Sequence, residues 1–333
     1  MSQTQAAPSA RLSIDPLSIG VLLMMVLGLI VPTTPAVRAF LNEAQDYAIM
    51  LLFLLYGARL PTNEVIDGLK NWKLQGSIFL TTFAIFPLIS LVLAPLLQPI
   101  LTPLLVAGVV YICVLPSTIQ SSVALTGAAR GNVAGAICAA TVSNVGGMFI
   151  TPFLATILIG GDGTGVGAGV TVDGFINIFK ILLAPFIVGQ LARPWVGAYV
   201  QSKANITKQV DRSVIWLNVF AAVAMATADG VWHDVDASQL IIMGVVCVGL
   251  LATVLTITWT GGKLIGMNYG DRVALLMCGS KKSLSSGLPI AAAIFPASIL
   301  GLMSVPLIVY HQIQLVVCAL IAGKLAQAHP DGV

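Results

Sequence analysis

The sequence predicts an all-α integral membrane protein of about ten transmembrane helices, arranged as two inverted repeats of five helices each. Three observations lead to this fold class. Hydrophobic residues make up 57% of the 333 residues and charged residues only 9%, whereas soluble domains carry about 25% charged residues. Lys and Arg are unevenly distributed between alternate loops. A short polar interruption also recurs in two apolar segments, one in each half of the chain.

Ten apolar segments approach the length of about 20 residues that a helix needs to cross the bilayer core. We expect spans at residues 17–32, 44–60, 74–97, 104–128, 131–158, 174–193, 211–228, 239–260, 271–296 and 300–324.

These spans give a tail (1–16), a first five-helix repeat (17–158), a Gly-rich linker (159–173), a second repeat (174–325) and a tail (326–333). The linker text GGDGTGVGAG is flexible by composition. An odd number of helices in each half makes the second half enter the membrane from the opposite side. Inverted repeats of this kind are common in secondary transporters.

The distribution of Lys and Arg predicts the orientation, because cytoplasmic loops are enriched in these residues. With the N-terminus inside, the predicted outer loops contain only Arg38. We therefore expect an even number of spans, both termini in the cytoplasm, the linker outside and a location in the inner membrane. The predicted inner set is Arg11, Arg59, Lys70, Lys73, Arg130, Arg193, Lys203, Lys208, Arg212, Lys263, Arg272 and Lys324.

Composition and motifs also exclude several classes. All five cysteines lie in apolar runs without a CxxC pair, which is typical of small buried residues rather than of disulfides or metal ligands. No HExxH or GxSxG motif indicates an enzyme. The net charge of +3 follows a membrane pattern and predicts no nucleic-acid partner. We expect no cofactor, and as partners a small-molecule substrate and the lipid bilayer; the sequence indicates no oligomeric state.

The two polar interruptions are the strongest indication of a site. The fourth predicted span contains Leu115–Val123, with the text LPSTIQSSV, and the ninth contains Gly279–Gly287, with the text GSKKSLSSG. Each has a Ser-Ser pair at the same place, 164 residues apart. A membrane helix is unwound only where its freed backbone groups meet protein or a wet cavity. Matching breaks in the two halves therefore predict a substrate site at discontinuous fourth and ninth helices.

Lys281 and Lys282 strengthen this prediction, because a charge at the bilayer centre costs at least roughly 2.5–3.5 kcal/mol on insertion scales. Serines that bond their own helix, and lysines that snorkel to the surface, are the structural alternatives. The candidate substrate- or ion-binding residues are Ser117, Thr118, Gln120, Ser121, Ser122, Asn132, Thr141, Asn144, Ser280, Lys281, Lys282, Ser283, Ser285, Ser286 and His311.

At these residues the sequence resembles the bile acid:sodium symporter family, and most closely its divergent SBF-like branch, which includes bacterial proteins and the orphan seventh human member. The shared patterns cover nearly the whole chain, and their combination is specific. They are Gly57-Ala58-Arg59-Leu60, the Pro-broken segment Pro116–Ser122, the turn Ala129-Arg130-Gly131-Asn132, and Ser280-Lys281-Lys282-Ser283-Leu284.

The resemblance implies a panel domain, a core domain with two crossing discontinuous helices, and alternating access. In sodium-coupled members a Glu at the ninth-span break, with Ser, Asn and Thr side chains, holds two sodium ions. The matching places here are Ser121, Ser122 and Thr141, and the Glu position falls near Ser280, where no carboxylate is present. Because an ammonium repels a nearby sodium ion, we expect Lys281 or Lys282 to take the electrostatic role of that ion.

Several functions remain open at this point. One is a transporter of an organic anion, with the lysines as counter-charge. A second is a sodium- or proton-coupled symporter of a bile-acid-like or other metabolite, with Ser, Thr, Asn and backbone oxygens as ion ligands, or with His311 or Lys282 carrying the proton. A third is a regulatory membrane protein without transport of its own. His311 is alternatively a packed, hydrogen-bonded residue of the tenth span.

Overall fold

A computed structural model describes residues 16–59, 71–160 and 179–329 of the chain. The predicted tail 1–16, apart from its last residue, most of the linker 159–173, and the end of the tail 326–333 lie outside these described residues. Within them, the helices are α1 (Pro16–Ile30), α2 (Pro35–Arg59), α3 (Trp72–Leu97), α4 (Pro103–Val114), α5 (Gln120–Ala128), α6 (Val133–Ile159), α7 (Phe179–Ser202), α8 (Ala204–Ala228), α9 (Ala237–Leu264), α10 (Tyr269–Gly279), α11 (Leu284–Ile294) and α12 (Ala297–Ala328).

The prediction of an all-helical membrane protein is confirmed. Among the described residues, the six helices α3, α6, α7, α8, α9 and α12 are long and apolar enough to cross a membrane. Helices α1 and α4 are shorter apolar helices, and α5, α10 and α11 contain nine or eleven residues each. All five cysteines are buried and free, as small buried residues should be.

Two predicted spans begin well after the start of the helices that contain them. Helix α2 begins at Pro35 rather than at residue 44, and α8 begins at Ala204 rather than at residue 211. Both missed ends are amphipathic and polar, so a hydropathy criterion excludes them. Arg38, in the missed end of α2, bonds Asp229 at 2.8 Å, and Lys208, in that of α8, lines the central cavity.

Helices α1, α2, α7 and α8 pack against one another and form one wall of the molecule. The backbones of α2 and α7 touch, because a Cβ at Gly57 would lie 2.1 Å from the carbonyl of Phe186, and one at Gly189 would lie 2.1 Å from that of Leu54. Small residues allow this close approach in membrane proteins. We call these four helices the four-helix wall.

Three polar contacts also join α2 to α8 along their length. The ion pairs are Arg38 with Asp229 at 2.8 Å and Arg59 with Asp211 at 2.9 Å. Between them, the Gln45 amide donates to Asn218 Oδ1 at 3.2 Å. These contacts at both ends and in the middle hold α2 against α8.

The other helices surround two interruptions of the chain. The first break, Leu115–Ile119, separates α4 from α5, and the second break, Ser280–Ser283, separates α10 from α11. The breaks meet directly, because the Ser283 N–H donates to the Pro116 carbonyl at 2.9 Å. Both predicted interruptions are therefore present, and they lie against each other.

Candidate functional site

The first break begins where Pro116 cannot continue α4. Proline lacks an N–H and clashes with the preceding turn, so the last carbonyls of α4 have no intrahelical donor. Other elements supply the donors: Thr151 Oγ1 donates to the Val114 carbonyl at 2.7 Å, and Asn144 Nδ2 to the Ser117 carbonyl at 2.7 Å. The break is therefore an ordered unit held by α6.

The second break is held in part by side chains of the first. Ser117 Oγ donates to the Cys278 carbonyl at 2.6 Å, and Ser122 Oγ donates to the Met277 carbonyl at 3.0 Å. The Tyr310 hydroxyl of α12 donates to the Ser280 carbonyl at 2.9 Å. Ser117 of the first break and Ser122 of α5 thus satisfy carbonyls at the end of α10, and the Ser283 N–H of the second break satisfies the Pro116 carbonyl of the first.

The Lys282 side chain inserts between the two breaks and is completely buried. Its Nζ lies 2.7 Å from the Leu115 carbonyl, 3.3 Å from that of Cys113 and 3.0 Å from that of Thr82 in α3. It also lies 3.9 Å from the centre of the Phe86 ring. We call the carbonyls of Thr82, Cys113 and Leu115 the carbonyl cage.

The Thr82 carbonyl is available for a local reason in α3. Residues Thr81–Ile85 form a π-helical turn, in which the Phe86 N–H bonds the Thr81 carbonyl. The next donor in that pattern would be residue 87, which is a proline and has no N–H. Pro87 thus leaves the Thr82 carbonyl to accept from Lys282.

The carbonyl cage matches a charged form of Lys282. A charged ammonium has three N–H donors and no acceptor, and the cage offers three acceptors. A neutral amine would direct its lone pair at one of the carbonyls. The cage carbonyls of Cys113 and Leu115 also lie at the end of α4, where the helix dipole is negative and favours a cation.

Lys281 is equally buried but has different surroundings. Its Nζ has no hydrogen-bond partner among the described residues. It lies within electrostatic range of Cys278, Cys318 and His311. These groups are neutral or donors in their usual forms, so nothing in the described structure compensates a charge on Lys281.

Gln314 of α12 connects Lys282 to His311. Its Oε1 accepts from the Lys282 N–H and its Nε2 donates to the Lys282 carbonyl, both at 2.8 Å. These two bonds fix the amide orientation, so the second Nε2 proton faces His311 Nδ1 at 2.9 Å. Nδ1 is then the acceptor, and a neutral His311 carries its proton on Nε2. That Nε2 has no partner among the described residues.

A cavity of about 290 Å³ lies between the four-helix wall and the two breaks. The wall contributes mainly apolar side chains and cations, and the opposite side is mostly polar. Its lining from the wall includes Leu17, Tyr56, Arg59, Phe186, Lys208, Asp211, Arg212 and Ile215, and from the opposite side Thr118, Gln120, Ser121, Thr141, Asn144, Ser285 and His311.

The cavity lining carries an excess of positive charge. Asp211 is its only acidic residue in the described chain, and it bonds both terminal nitrogens of Arg59, at 2.9 and 3.0 Å. Lys208 and Arg212 lie four residues apart on α8 and form no ion pair among the described residues. The described lining therefore has a net positive formal charge.

The structure divides the predicted site residues into two connected groups. Thr118, Gln120, Ser121, Thr141, Asn144, Ser285 and His311 line the cavity. Behind them, the bonds of the crossing involve Ser117, Ser122, Ser280, Lys282, Ser283 and Ser286. Asn144 connects the groups, because its Oδ1 accepts from Ser286 Oγ at 3.0 Å.

Asn132 does not lie at the cavity, contrary to the expectation from its motif. Its Oδ1 accepts from the Gly135 N–H at 2.8 Å and caps α6. Its Nδ2 donates to Asp271 at 2.7 Å, in the first turn of α10. Asn residues are favoured at helix N-caps, and this local role explains the residue.

The hydroxyls predicted as possible sodium ligands each donate a hydrogen bond to a neighbouring group, which leaves their oxygen lone pairs available. Thr141 Oγ1 donates to the Ile137 carbonyl of its own helix at 2.8 Å. Ser122 Oγ donates to Met277, and Ser121 Oγ donates to Thr118 Oγ1 at 3.0 Å. The crossing offers no carboxylate in the described chain, and its three converging carbonyls already hold Lys282.

Sequence reasoning did not identify Lys208, Arg212, Gln314 or Pro87 as site residues. Lys208 and Arg212 have the i, i+4 spacing of one helix face and were considered only as loop charges. Gln314 lies three residues after His311 in the sequence, but its bonding to Lys282 depends on a tertiary contact between α12 and the second break. The Thr-Thr-x4-Pro pattern at Thr81 gives a weak local signal for Pro87.

Crossing helix breaks, held together by their own side chains and adjoining a central cavity in an all-helical membrane protein, are characteristic of a secondary transporter. Comparison with known families agrees with this class. The model of the SBF-like CPA transporter family matches residues 15–327. The chain belongs to this family of membrane transporters.

The chain is also similar to individual proteins. It is 38% identical to an uncharacterized protein of Pseudomonas aeruginosa, over 95% of this chain and 94% of that one. It is 35% identical to YfeH of Escherichia coli, which is named as a candidate symporter, over 93% and 92%. It is 27% identical to the mouse sodium/bile acid cotransporter 7, over 80% and 78%. The predicted family resemblance is confirmed, and the class is a transporter rather than an enzyme.

Proposed function

We propose that the protein is a secondary transporter of a small organic anion, in which Lys281 and Lys282 provide the positive charge that a coupling metal ion would supply. One observation carries this proposal. A cavity whose described lining has more cations than anions lies beside a crossing in which the buried Lys282 Nζ is held by three carbonyls. An anionic solute is attracted by the first feature and stabilised by the second.

The proposal includes the predicted ten spans in two inverted repeats, with both termini cytoplasmic and the protein in the inner membrane. Helix packing supports the inverted repeat. If each helix is replaced by the helix six positions later, counting on from α12 to α1, the pairs in contact recur. The pair α3–α4 corresponds to α9–α10, α3–α6 to α9–α12, α6–α10 to α12–α4, and α1–α8 to α7–α2. On this view the four-helix wall is the panel domain and the other helices are the core domain.

The two lysines have separate roles in this proposal. Lys282 is a fixed charge that holds the crossing together. Lys281 has no hydrogen-bond partner in the described structure and is the free counter-charge. An anionic group that moves past His311 would offer an acceptor to both Nε2 of that ring and Lys281. Release of the solute then restores the unpaired state, and alternating access carries the solute between the two sides.

Uptake into proteoliposomes tests the function. Purified protein is reconstituted and offered a panel of radiolabelled organic anions, with a sodium gradient, a proton gradient, or neither. We expect saturable uptake of an anion without dependence on sodium. Uptake that rises saturably with sodium, and survives in the double variant Lys281→Ala, Lys282→Ala, would contradict the role of the lysines.

Topology is tested independently of the solute. A cysteine placed at Gly165 should react with a membrane-impermeant maleimide in intact cells, and one at Ala328, in the predicted tail 326–333, only after the cells are opened. Labelling at Gly165 that requires opened cells would contradict the ten-span arrangement.

A second candidate function is proton-coupled symport of the same class of solute. Its specific support is that Lys281 Nζ and His311 Nε2 are both titratable, buried and without a partner among the described residues. The uptake assay distinguishes the two, because only this candidate requires the proton gradient. A regulatory protein without transport would show no uptake of any anion under any gradient.

A further inference from the structure

We infer that the carbonyl cage, together with the face of the Phe86 ring, is a binding site for a monovalent cation of the primary-ammonium class, which Lys282 fills with its own side chain. Removing that side chain should therefore create a site for a free alkylammonium ion. This inference rests on the part of the proposed function that gives Lys282 the place of a cation, and it is independent of the solute.

The first argument is the match between donors and acceptors. Three backbone carbonyls converge on one nitrogen at 2.7, 3.0 and 3.3 Å. These are distances of N–H···O hydrogen bonds, and the three acceptors match the three protons of a primary ammonium. A tetraalkylammonium ion has no N–H donor, and a neutral alcohol has one.

The second argument is that the acceptors exist without the lysine. Pro116 ends α4 and frees the Cys113 and Leu115 carbonyls, whereas the π-turn and Pro87 free the Thr82 carbonyl. These features belong to the backbone of α3 and α4, so substitution of Lys282 leaves them in place. The freed carbonyls lie near the negative end of the α4 dipole, which favours any cation that enters.

The third argument concerns the Phe86 ring, which lies beside the three carbonyls of the cage. Phe86 is completely buried, and its ring centre lies 3.9 Å from Lys282 Nζ. A cation over an aromatic face is stabilised by the ring quadrupole, and more strongly where water is excluded. The ring favours an organic ammonium over a strongly hydrated metal ion, because the latter would exchange its water ligands for a weak π contact.

The vacated volume defines the probe. Lys282→Ala removes Cγ, Cδ, Cε and Nζ, which together correspond to n-propylammonium. Lys281→Ala vacates the same volume at the adjacent residue, where Nζ has no acceptor in the described structure. It is therefore the matched control. Propan-1-ol, which has nearly the same shape but no charge, controls for simple filling of the cavity.

The experiment measures thermal unfolding of purified full-length protein in mild detergent, with n-propylammonium chloride, propan-1-ol, tetramethylammonium chloride or sodium chloride at equal concentrations. A ligand that binds only the folded state raises its Tm. We expect propylammonium to raise the Tm of Lys282→Ala saturably, by at least about 2 °C, and to leave the wild type and Lys281→Ala unchanged. The other three additives should not reproduce this rise.

If Lys282→Ala does not survive purification, the same probe is added during membrane extraction, and the readout is recovery of monodisperse protein. Recovery only with propylammonium supports the site. An equal Tm rise in Lys281→Ala, an equal rise with propanol, no rise in Lys282→Ala, or no recovery with the probe would overturn the inference. No solute or gradient is present, so such a result leaves the proposed anion transport standing, and a failure to find a transported anion leaves this site standing.

Discussion

Lys281 and Lys282 are neighbours in sequence and are both 0% exposed, yet the structure surrounds them differently. Lys282 donates to three carbonyls and lies over the Phe86 ring, whereas Lys281 has no hydrogen-bond partner in the described part of the chain. The Lys282 side chain therefore reaches acceptors of α3 and of the first break, whereas that of Lys281 reaches none in the described residues.

The difference shows that burial alone does not determine what an ionisable residue does in a membrane protein. A buried charge is stable when it is fully hydrogen-bonded, and it is costly when it is not. By this criterion Lys282 is part of the structure. Lys281 is a site that lacks a partner, and an anionic solute would supply one.

The largest expected effect is on stability. Lys282→Met keeps the length of the side chain but leaves three buried carbonyls without a donor, at roughly 1–3 kcal/mol each. We expect its free energy of unfolding to fall by about 3 kcal/mol or more. Lys281→Met replaces an unpartnered amine by an apolar chain and should be neutral or stabilising. Denaturant titration in detergent measures both variants.

The contrast between these two variants is the test. Equal losses for Lys282→Met and Lys281→Met would show that the two lysines are energetically equivalent, and would contradict the distinction drawn from their surroundings. Lys282→Arg is a useful addition, because its planar guanidinium keeps the charge but cannot direct three donors at one cage.

The second prediction concerns the solute. If Lys281 pairs with the transported anion, Lys281→Met should weaken anion binding by at least about tenfold, since removing one partner of a buried charge pair costs about 2–5 kcal/mol. Binding is measured by competition against the best anion of the uptake panel. Ser304→Ala is a suitable control, because Ser304 bonds only its own helix.

Unchanged affinity in Lys281→Met, with a folded protein, would mean that the unpaired amine does not contact the solute. In that case Lys208 and Arg212, at the cavity wall, would be the remaining cations able to bind it. Their replacement by Gln should then produce the loss.

The sequence predicts the two breaks and a lysine pair in the second, but it does not predict which lysine is hydrogen-bonded. The matching polar interruptions predict both breaks, and Pro116 explains the first, because a proline inside a span has a local consequence. Lys281 and Lys282 lie in the second break, but no local feature of the sequence separates one from the other. Their difference depends on Thr82 and Gln314, which lie far away in the chain.

Other parts of the site were missed for the same reason. Hydropathy excluded the polar end of α8 that carries Lys208, and a motif placed Asn132 at the cavity when its actual partners are Gly135 and Asp271. Sequence patterns report local preference and burial. They do not report which side chain of a distant helix faces a given break.

The third prediction uses Gln314, which bonds both backbone groups of Lys282. Gln314→Met should cost about 1–3 kcal/mol, because it leaves buried polar groups unpaired. The effect should be coupled to Lys282→Met, since both changes loosen the same segment, with an interaction energy of roughly 0.5–3 kcal/mol. Denaturant titrations of the single and double variants give this value.

Gln314→Glu removes only the donor half of that contact. It keeps an acceptor for the Lys282 N–H but removes the Nε2 donor to both the Lys282 carbonyl and His311 Nδ1. Nitrogen NMR of labelled histidine should then show a changed tautomer or charge for His311 in this variant alone, whereas the wild type carries the proton on Nε2. An Nδ1 proton in the wild type would contradict the hydrogen-bond assignment.

The smallest effect should come from Phe86. Phe86→Leu keeps an apolar side chain but removes the aromatic face 3.9 Å from Lys282 Nζ, a contact worth roughly 0.5–2 kcal/mol. Some stability is lost in any case, because Phe86 is fully buried.

The substitution is therefore made in two backgrounds. With Lys281→Met the full loss should remain, because the cage still holds its ammonium. With Lys282→Met the loss should shrink by the cation–π contribution, leaving only packing. An equal loss in both backgrounds would show that the ring does not sense the charge on Lys282, and that the cage carbonyls alone stabilise it.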